Sequence, residues 1–167
     1  NAYLGLDKRR IPSRFTSVAL FPTDAQWQAG ERWVRCDTVL KAGRQLTSIT
    51  GSAAAFAASV APARLDSCTI GTPKPLSTAE YRCTQPKKNW ILVAERELGS
   101  LSDPYPGDAA VVRQATRICE RYAKRYDGGL EYPGWWRLNP LRPLWQEGER
   151  TVRCYVPLYQ YQDSVSR

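Results

Sequence analysis

The chain has 167 residues, enough for one domain or two small ones, and its 24 lysines and arginines outnumber 16 aspartates and glutamates to give a formal charge of +8. It contains no histidine, which excludes a Ser-His-Asp triad, a Cys-His nucleophile pair and a histidine-ligated metal. A hydrophobic fraction of 43% is typical of a globular domain and not of a disordered one.

The five cysteines predict disulfide bonds, and therefore an extracytoplasmic compartment. No two of them have the C-x-x-C spacing of a zinc knuckle, and no histidine is present to activate a thiol, so we expect neither a metal nor any other cofactor. No apolar segment approaches the ~18 residues that a membrane crossing needs. Because the chain also lacks an initiator methionine, we expect a piece of a longer protein whose membrane anchor lies outside these residues.

The first element with a clear signature is a turn followed by a strand at residues 27–36. Trp27 is a large apolar anchor, and Gly30 allows a backbone conformation that other residues resist. The same pattern returns at residues 145–154, where eight of ten positions are identical at an offset of 118. Similarity of this degree predicts two copies of one structural unit.

The repeat predicts two domains. Residues 1–60 would be the C-terminal part of a first unit, and residues 61–167 would be a complete second unit. The helix of the first unit, with its cysteine, would then lie upstream of residue 1.

The second unit opens at Asp66-Ser67-Cys68 and continues through Tyr81-Arg82-Cys83. Residues 90–94 form a short apolar run that predicts a buried strand, and residues 100–107 predict a loop. Asp108 is the predicted N-cap of the helix that follows. Apolar residues recur along that helix at helical spacing: Val111, Ala115, Ile118, Cys119 and Tyr122.

Two disulfide arrangements are compatible with this order of elements. In the first, Cys119 on the helix bonds Cys154 on the last strand, Cys68 bonds Cys83, and Cys36 is left unpaired. In the second, Cys68 bonds Cys154 and Cys83 bonds Cys119. Sequence alone does not choose between them, although the first arrangement follows from the repeat.

Taken together, these motifs resemble the septum formation family, whose members are extracytoplasmic domains of actinobacterial membrane proteins, often in tandem copies. The likeness covers about residues 65–160 and the end of another unit at about residues 20–52. The segments that carry it are Asp66-Ser67-Cys68, Tyr81-Arg82-Cys83, Arg117-Ile118-Cys119-Glu120, residues 145–150 with Cys154, and residues 46–52.

The chain departs from the family pattern after Cys83. Relatives usually show a Pro-His pair and an acidic residue there, whereas this chain has Lys87 where the histidine would be. Any function that the histidine carries in relatives is therefore lacking here. The resemblance implies a link to cell division, but it implies no reaction.

Three groups of side chains are candidate sites. The repeated turns place Arg32 beside Trp27 and Gly30, and Arg150 beside Trp145 and Gly148. We interpret both arginines as structural, packing on the tryptophan or binding a carboxylate, and not as a paired ligand site. Glu95 and Glu97 share a strand face but are predicted to be solvated, and Asp103 gives no stronger case for an acid-base pair.

A possible interaction surface combines Trp135 and Trp136, on a predicted loop, with the basic pair Lys87 and Lys88. Exposed aromatics can pack on a partner, and the positive charge would attract an anionic one. The expected partners are an envelope protein or an anionic cell-wall polymer. Nucleic acid is not expected, because the compartment argues against it and no nucleic-acid-binding motif is present.

The predicted fold class is α+β, built of disulfide-stabilised repeat units, each with a small, mainly antiparallel sheet and one packed helix. The predicted function is that of a non-enzymatic, membrane-anchored extracytoplasmic interaction module linked to the septum or the cell wall. Two alternatives stay open: a wall-active enzyme that uses carboxylates only, and a purely structural spacer.

Overall fold

A computed structural model describes the chain at residues 13–43, 45–49, 51–60, 64–74, 78–84, 89–131 and 133–166. The predicted α+β class is confirmed, since these residues form two antiparallel sheets and several helices. The strands are β1 (Phe15–Leu20), β2 (Arg35–Ala42), β3 (Gln45–Thr47), β4 (Ser67–Thr69), β5 (Tyr81–Arg82), β6 (Trp90–Glu97), β7 (Trp136–Leu138) and β8 (Thr151–Pro157).

The helices lie between and after the strands. They are α1 (Asp24–Gln28), α2 (Ala53–Ser59), α3 (Asp108–Ala123), which continues into a 3₁₀ turn at Lys124–Tyr126, α4 (Arg142–Gln146) and α5 (Leu158–Val165). None of the described helices has the length and apolar character to cross a membrane. The division into repeat units, with a boundary at residue 60, stays a prediction.

The strands form one sheet of three and one of five. The small sheet has the order β1-β2-β3, and the large sheet has the order β5-β4-β6-β8-β7. The long central strands β6 and β8 pair from Trp90↔Pro157 to Glu97↔Thr151, with a register shift between Leu92 and Ala94. The predicted buried strand at residues 90–94 is the first part of β6, in which residues 91–94 are buried.

Helix α3 covers one face of the large sheet. Val111, Ala115, Cys119 and Ala123 are spaced by four residues, so they form one buried stripe along the helix. That stripe packs in the main core with residues of β6 and β8. The 3.6-residue period of the sequence therefore identified the packed face of the longest helix.

The predicted N-cap of α3 is wrong by one residue. Gly107 occupies the cap with a φ of 91°, a conformation that glycine adopts without strain, and no side chain caps the helix. Asp108 is instead the first helical residue, where its carboxylate accepts a hydrogen bond from the Tyr105 hydroxyl. The negative charge of a carboxylate at this position also interacts favourably with the positive end of the helix dipole.

The two sheets are joined by bridges between Ser13 and Asp66 and between Gly43 and Glu80. Beside the second bridge, Lys41 Nζ lies 2.5 Å from Glu80 Oε1. Glycine is favoured at this junction, because Gly43 has a φ of 73° and a Cβ built there would lie 2.7 Å from Cε1 of Tyr81. The backbones of the two sheets therefore meet along the end of β2 and the start of β5.

Candidate functional site

Two strand pairs of the fold have the same register at the offset of the sequence repeat. In the small sheet, Ala19 pairs with Cys36. In the large sheet, Arg137 pairs with Cys154. Each pair is connected by a five-residue helix, α1 or α4, followed by the Trp-Gly-Arg turn. The sequence repeat therefore corresponds to a recurring local structure.

The two turns also share their internal contacts. Gly30 and Gly148 have φ values of 93° and 96°. The guanidinium carbon of Arg32 lies 3.8 Å from the ring centre of Trp27, and that of Arg150 lies 4.1 Å from the ring centre of Trp145. In each turn the arginine Nη1 donates to the carbonyl of its tryptophan. Both arginines thus pack on their tryptophans, as interpreted from sequence, but they bind carbonyl oxygens and not carboxylates.

Arg150 also donates to backbone carbonyls of the loop before α3, and Arg32 has no equivalent contacts among the described residues. Its Nε donates to Ser100 O at 3.2 Å and its Nη2 to Leu101 O at 3.1 Å. The indole Nε1 of Trp145 donates to Asp103 O at 3.1 Å. Asp103 itself accepts a hydrogen bond from the Ser100 backbone at 2.7 Å, so this carboxylate closes the loop.

Alanine at either turn glycine should destabilise the protein by a similar amount. An L-residue at these positive φ values costs about 1–2 kcal/mol, and neither position is sterically crowded, since only Leu101 Cδ2, at 3.5 Å, approaches a Cβ built at residue 148. Urea unfolding of Gly30→Ala and Gly148→Ala would measure the two losses. A loss confined to residue 148 would mean that the first turn is not formed in solution.

The equivalent residues of the two turns differ strongly in burial. Trp27 is 53% exposed and Val34 64% exposed, whereas Trp145 is 3% and Val152 0% exposed. Cys36 is an exposed free thiol, but Cys154 is buried. We call the surface formed by Trp27, Val34 and Cys36 the open face.

The large sheet shows what covers this surface in the second half of the chain. Helix α3 packs on β8 and is bonded to it through Cys154, while Trp145 and Val152 lie in the same core cluster and β6 pairs with the whole of β8. In the small sheet, β3 pairs with β2 only at residues 40–42. Within the described ranges, no strand pairs with residues 35–39 on that edge of β2.

The disulfides follow the first of the two arrangements considered above. Cys68 is bonded to Cys83 across 15 residues of sequence, and Cys119 is bonded to Cys154 across 35. The second bond ties α3 to the central strand of the large sheet. Cys36 occupies the position equivalent to Cys154 but has no described cysteine to bond.

The face of the large sheet opposite α3 contains a cavity of about 270 Å³, lined by both polar and apolar side chains, which no sequence pattern predicts. Its lining includes Tyr155, whose buried hydroxyl has no hydrogen-bond partner in the described structure. Burial, followed by the charge of Glu80, raises the pKa of Tyr155 above its ordinary value. Among its charged lining residues, Glu80 is paired with Lys41, and Arg153 is paired with Glu95 at 3.0 Å.

The structure does not bring the acidic candidates together as a catalytic pair. Glu95 is held by Arg153, while Glu97 is exposed at the end of β6. Asp103 and Asp108 are each engaged in a local hydrogen bond in the loop before α3 and at its first residue. No cluster of three or more metal-ligating side chains occurs in the part of the chain that the structure describes.

The proposed aromatic and basic surface is placed only in part. Trp135 is partly buried against the main core. Trp136 lies in β7 and not in the loop predicted from sequence; it is 44% exposed, and its Nε1 donates to Pro73 O at 3.0 Å. Lys87 and Lys88 lie outside the described residues. Of the predicted surface, Trp136 alone is described as an exposed side chain.

Comparison with known proteins gives one match. A family model described as Septum formation matches residues 1–154 of the chain. No curated protein and no solved structure matches it.

Proposed function

The chain belongs to the septum formation family, and on that premise we propose that it is a non-enzymatic interaction module of a membrane-anchored envelope protein that acts in cell division. The family indicates a role related to cell division, and the two disulfides together with the family indicate an extracellular domain. The anchor, the actinobacterial source and the tandem arrangement are parts of the proposal that come from the family resemblance.

The observation that carries the proposal is the open face. The same turn, with the same arginine on the same tryptophan, is buried in one half of the chain and exposed in the other. Large apolar side chains that form an exposed patch are typical of a protein interaction site. The face lies beside an unpaired strand edge, where a partner can add a strand through main-chain hydrogen bonds.

The geometry of the second half defines the kind of partner that fits. There, β6 is an extended strand on the edge of β8, apolar side chains of the core cover Trp145 and Val152, and Cys119 of α3 bonds Cys154. We therefore favour an envelope protein segment of this chemistry as the partner. The helix and cysteine that the repeat predicts upstream of residue 1 would have the same chemistry, so the partner would compete with that segment for the open face. Crosslinking of Cys36 only within its own chain would rule out the open face as an intermolecular site. An anionic wall polymer matches the positive charge of the chain but not an apolar patch.

Val34→Asp should abolish recruitment to the division septum, because it places a charge in the centre of the open face. Val34 is 64% exposed, so the substitution should leave the fold intact. The measurement is septal enrichment of a fluorescent fusion of the full-length protein in dividing cells. A thiol-specific crosslinker attached at Cys36 should, in addition, capture its partner in the wild type and not in the variant.

Val112→Asp is the matched control, because Val112 is also an exposed valine but lies on the outer side of α3. It should leave both recruitment and crosslinking unchanged. If Val34→Asp is recruited like the wild type, the open face is not the interaction surface and the spacer alternative gains support. Turnover of purified wall material by the wild type would overturn the non-enzymatic part of the proposal.

A further inference from the structure

A second cavity lies where the end of β2 meets α2 and β5, and it has a volume of about 530 Å³. Three arginines line it: Arg14, Arg64 and Arg82. The rest of its wall is largely apolar and includes Leu40, Phe56 and Val60. The volume is within the range of small-molecule sites, about 300–1,000 Å³.

Arg14 is a buried side chain held in place within this wall, and not a surface residue. It is 2% exposed, its backbone N–H donates to Leu65 O, and its backbone carbonyl accepts from Lys41 N. Its guanidinium donates to the carbonyls of Lys41 and Arg64. These contacts fix the side chain in one orientation.

One guanidinium nitrogen of Arg14 lacks a partner in the described structure. Its Nε is buried and has no hydrogen-bond partner among the described residues. A buried unsatisfied donor on a charged group is costly, because the group has lost its water without gaining an acceptor. It also leaves part of the positive charge of Arg14 without an acceptor beside the cavity, and this charge favours an anion there.

The charge around the cavity is also unbalanced. None of the described lining residues is acidic. Asp66 and Glu80 are close enough to raise the pKa of Arg14, but burial, followed by the positive charge of Arg82, outweighs them and lowers that pKa to about 10. The positive charges of Arg14 and Arg82 therefore oppose each other, and no acidic residue is among the described lining residues.

We propose that this cavity binds an amphiphilic anion, with a phosphate or carboxylate head group on the arginines and a short apolar chain along Leu40, Phe56 and Val60. Guanidinium groups are suited to such head groups, because they present several fixed donors together with a permanent charge. The proposal is independent of the open face, which lies on residues that do not line this cavity.

Octyl phosphate is the probe, and isothermal titration calorimetry of the intact chain is the measurement. We expect saturable binding to the wild type, and binding at least about tenfold weaker to Arg82→Gln and to Arg64→Gln, because each substitution removes a charged donor. Arg82 and Arg64 are not fully buried, so both variants should fold; far-UV circular dichroism would check this. Arg113→Gln is the matched control, since Arg113 is an exposed arginine on α3.

Further ligands test the charged head group and the apolar chain of the proposed ligand separately. Octanol and inorganic phosphate should each bind at least about tenfold more weakly than octyl phosphate, because each lacks one half of the ligand. Phosphatidylglycerol vesicles, with phosphatidylcholine vesicles as the control, would establish whether the head group can come from a bilayer lipid. In the wild type, the ¹H–¹⁵N signal of the Arg14 Nε–H group should shift when octyl phosphate binds.

Equal binding of octyl phosphate to the wild type and both cavity variants would overturn the proposal. So would an equal loss in Arg113→Gln, since that would indicate binding to surface charge in general. If inorganic phosphate bound as tightly as octyl phosphate, the apolar part of the site would be wrong.

Discussion

Trp145→Ala should lower the free energy of unfolding by about 3–5 kcal/mol, whereas Trp27→Ala should lower it by less than about 1 kcal/mol. The two substitutions remove the same side chain from turns of the same geometry. Trp145 is buried in the main core, packs edge-on against Tyr105 with ring centres 5.6 Å apart, and donates a hydrogen bond to the loop before α3. Trp27 contacts Arg32 but is otherwise half in solvent.

Urea unfolding followed by circular dichroism would measure both losses, because tryptophan fluorescence is itself changed by the substitutions. Trp145→Phe serves as a control that keeps an aromatic ring in the core, so its loss should be smaller than that of Trp145→Ala. A large loss in Trp27→Ala would mean that the open face is covered in solution. In that case the loss should also depend on protein concentration, since the cover would be a second copy of the chain.

The double variant Cys119→Ala, Cys154→Ala should lose about 4 kcal/mol of stability, more than the loss of about 3 kcal/mol expected for Cys68→Ala, Cys83→Ala. The Cys119–Cys154 bond spans 35 residues and the Cys68–Cys83 bond spans 15, so removing the Cys119–Cys154 bond increases the chain entropy of the unfolded state more. The first bond also ties α3 to β8 inside the core, where Cys119 and Cys154 are each 1% exposed.

Both double variants are best compared in a Cys36→Ala background, since an exposed thiol can exchange with the remaining disulfide. Urea midpoints under oxidising conditions give the comparison. Cys36→Ala alone should leave stability unchanged, because its side chain is exposed and unbonded. If the shorter loop proved the more stabilising, packing around Cys68 would outweigh loop entropy in this fold.

The sequence predicted best those elements that a single local pattern defines. The spacing of Val111, Ala115 and Cys119 predicted the buried face of α3, and the apolar run at residues 90–94 predicted the start of β6. The repeat located both turns and their glycines. The α3 cap was missed because Gly107 allows a positive φ just before an aspartate that has the usual chemistry of a cap.

The burial of each turn and the position of the cavities could not be predicted from the sequence, for a physical reason. Residues 27–36 and 145–154 are nearly identical, so no local pattern in them distinguishes the exposed copy from the buried one. The difference arises from α3 and β6, which pack on the second copy only. The arginine cavity likewise needs residues 14, 64 and 82, which come together through pairing between the two sheets.

The shared geometry of the two turns also has a consequence for folding kinetics. The exposed turn adopts the same glycine conformation and the same arginine contacts as the buried one, so these features need no hydrophobic cover. The contacts that the two turns share are between residues close in sequence, and such contacts form quickly because little loop entropy is lost. We therefore expect the turn after α4 to form early in folding and to set the direction of β8, with the distant strand β6 and helix α3 joining later.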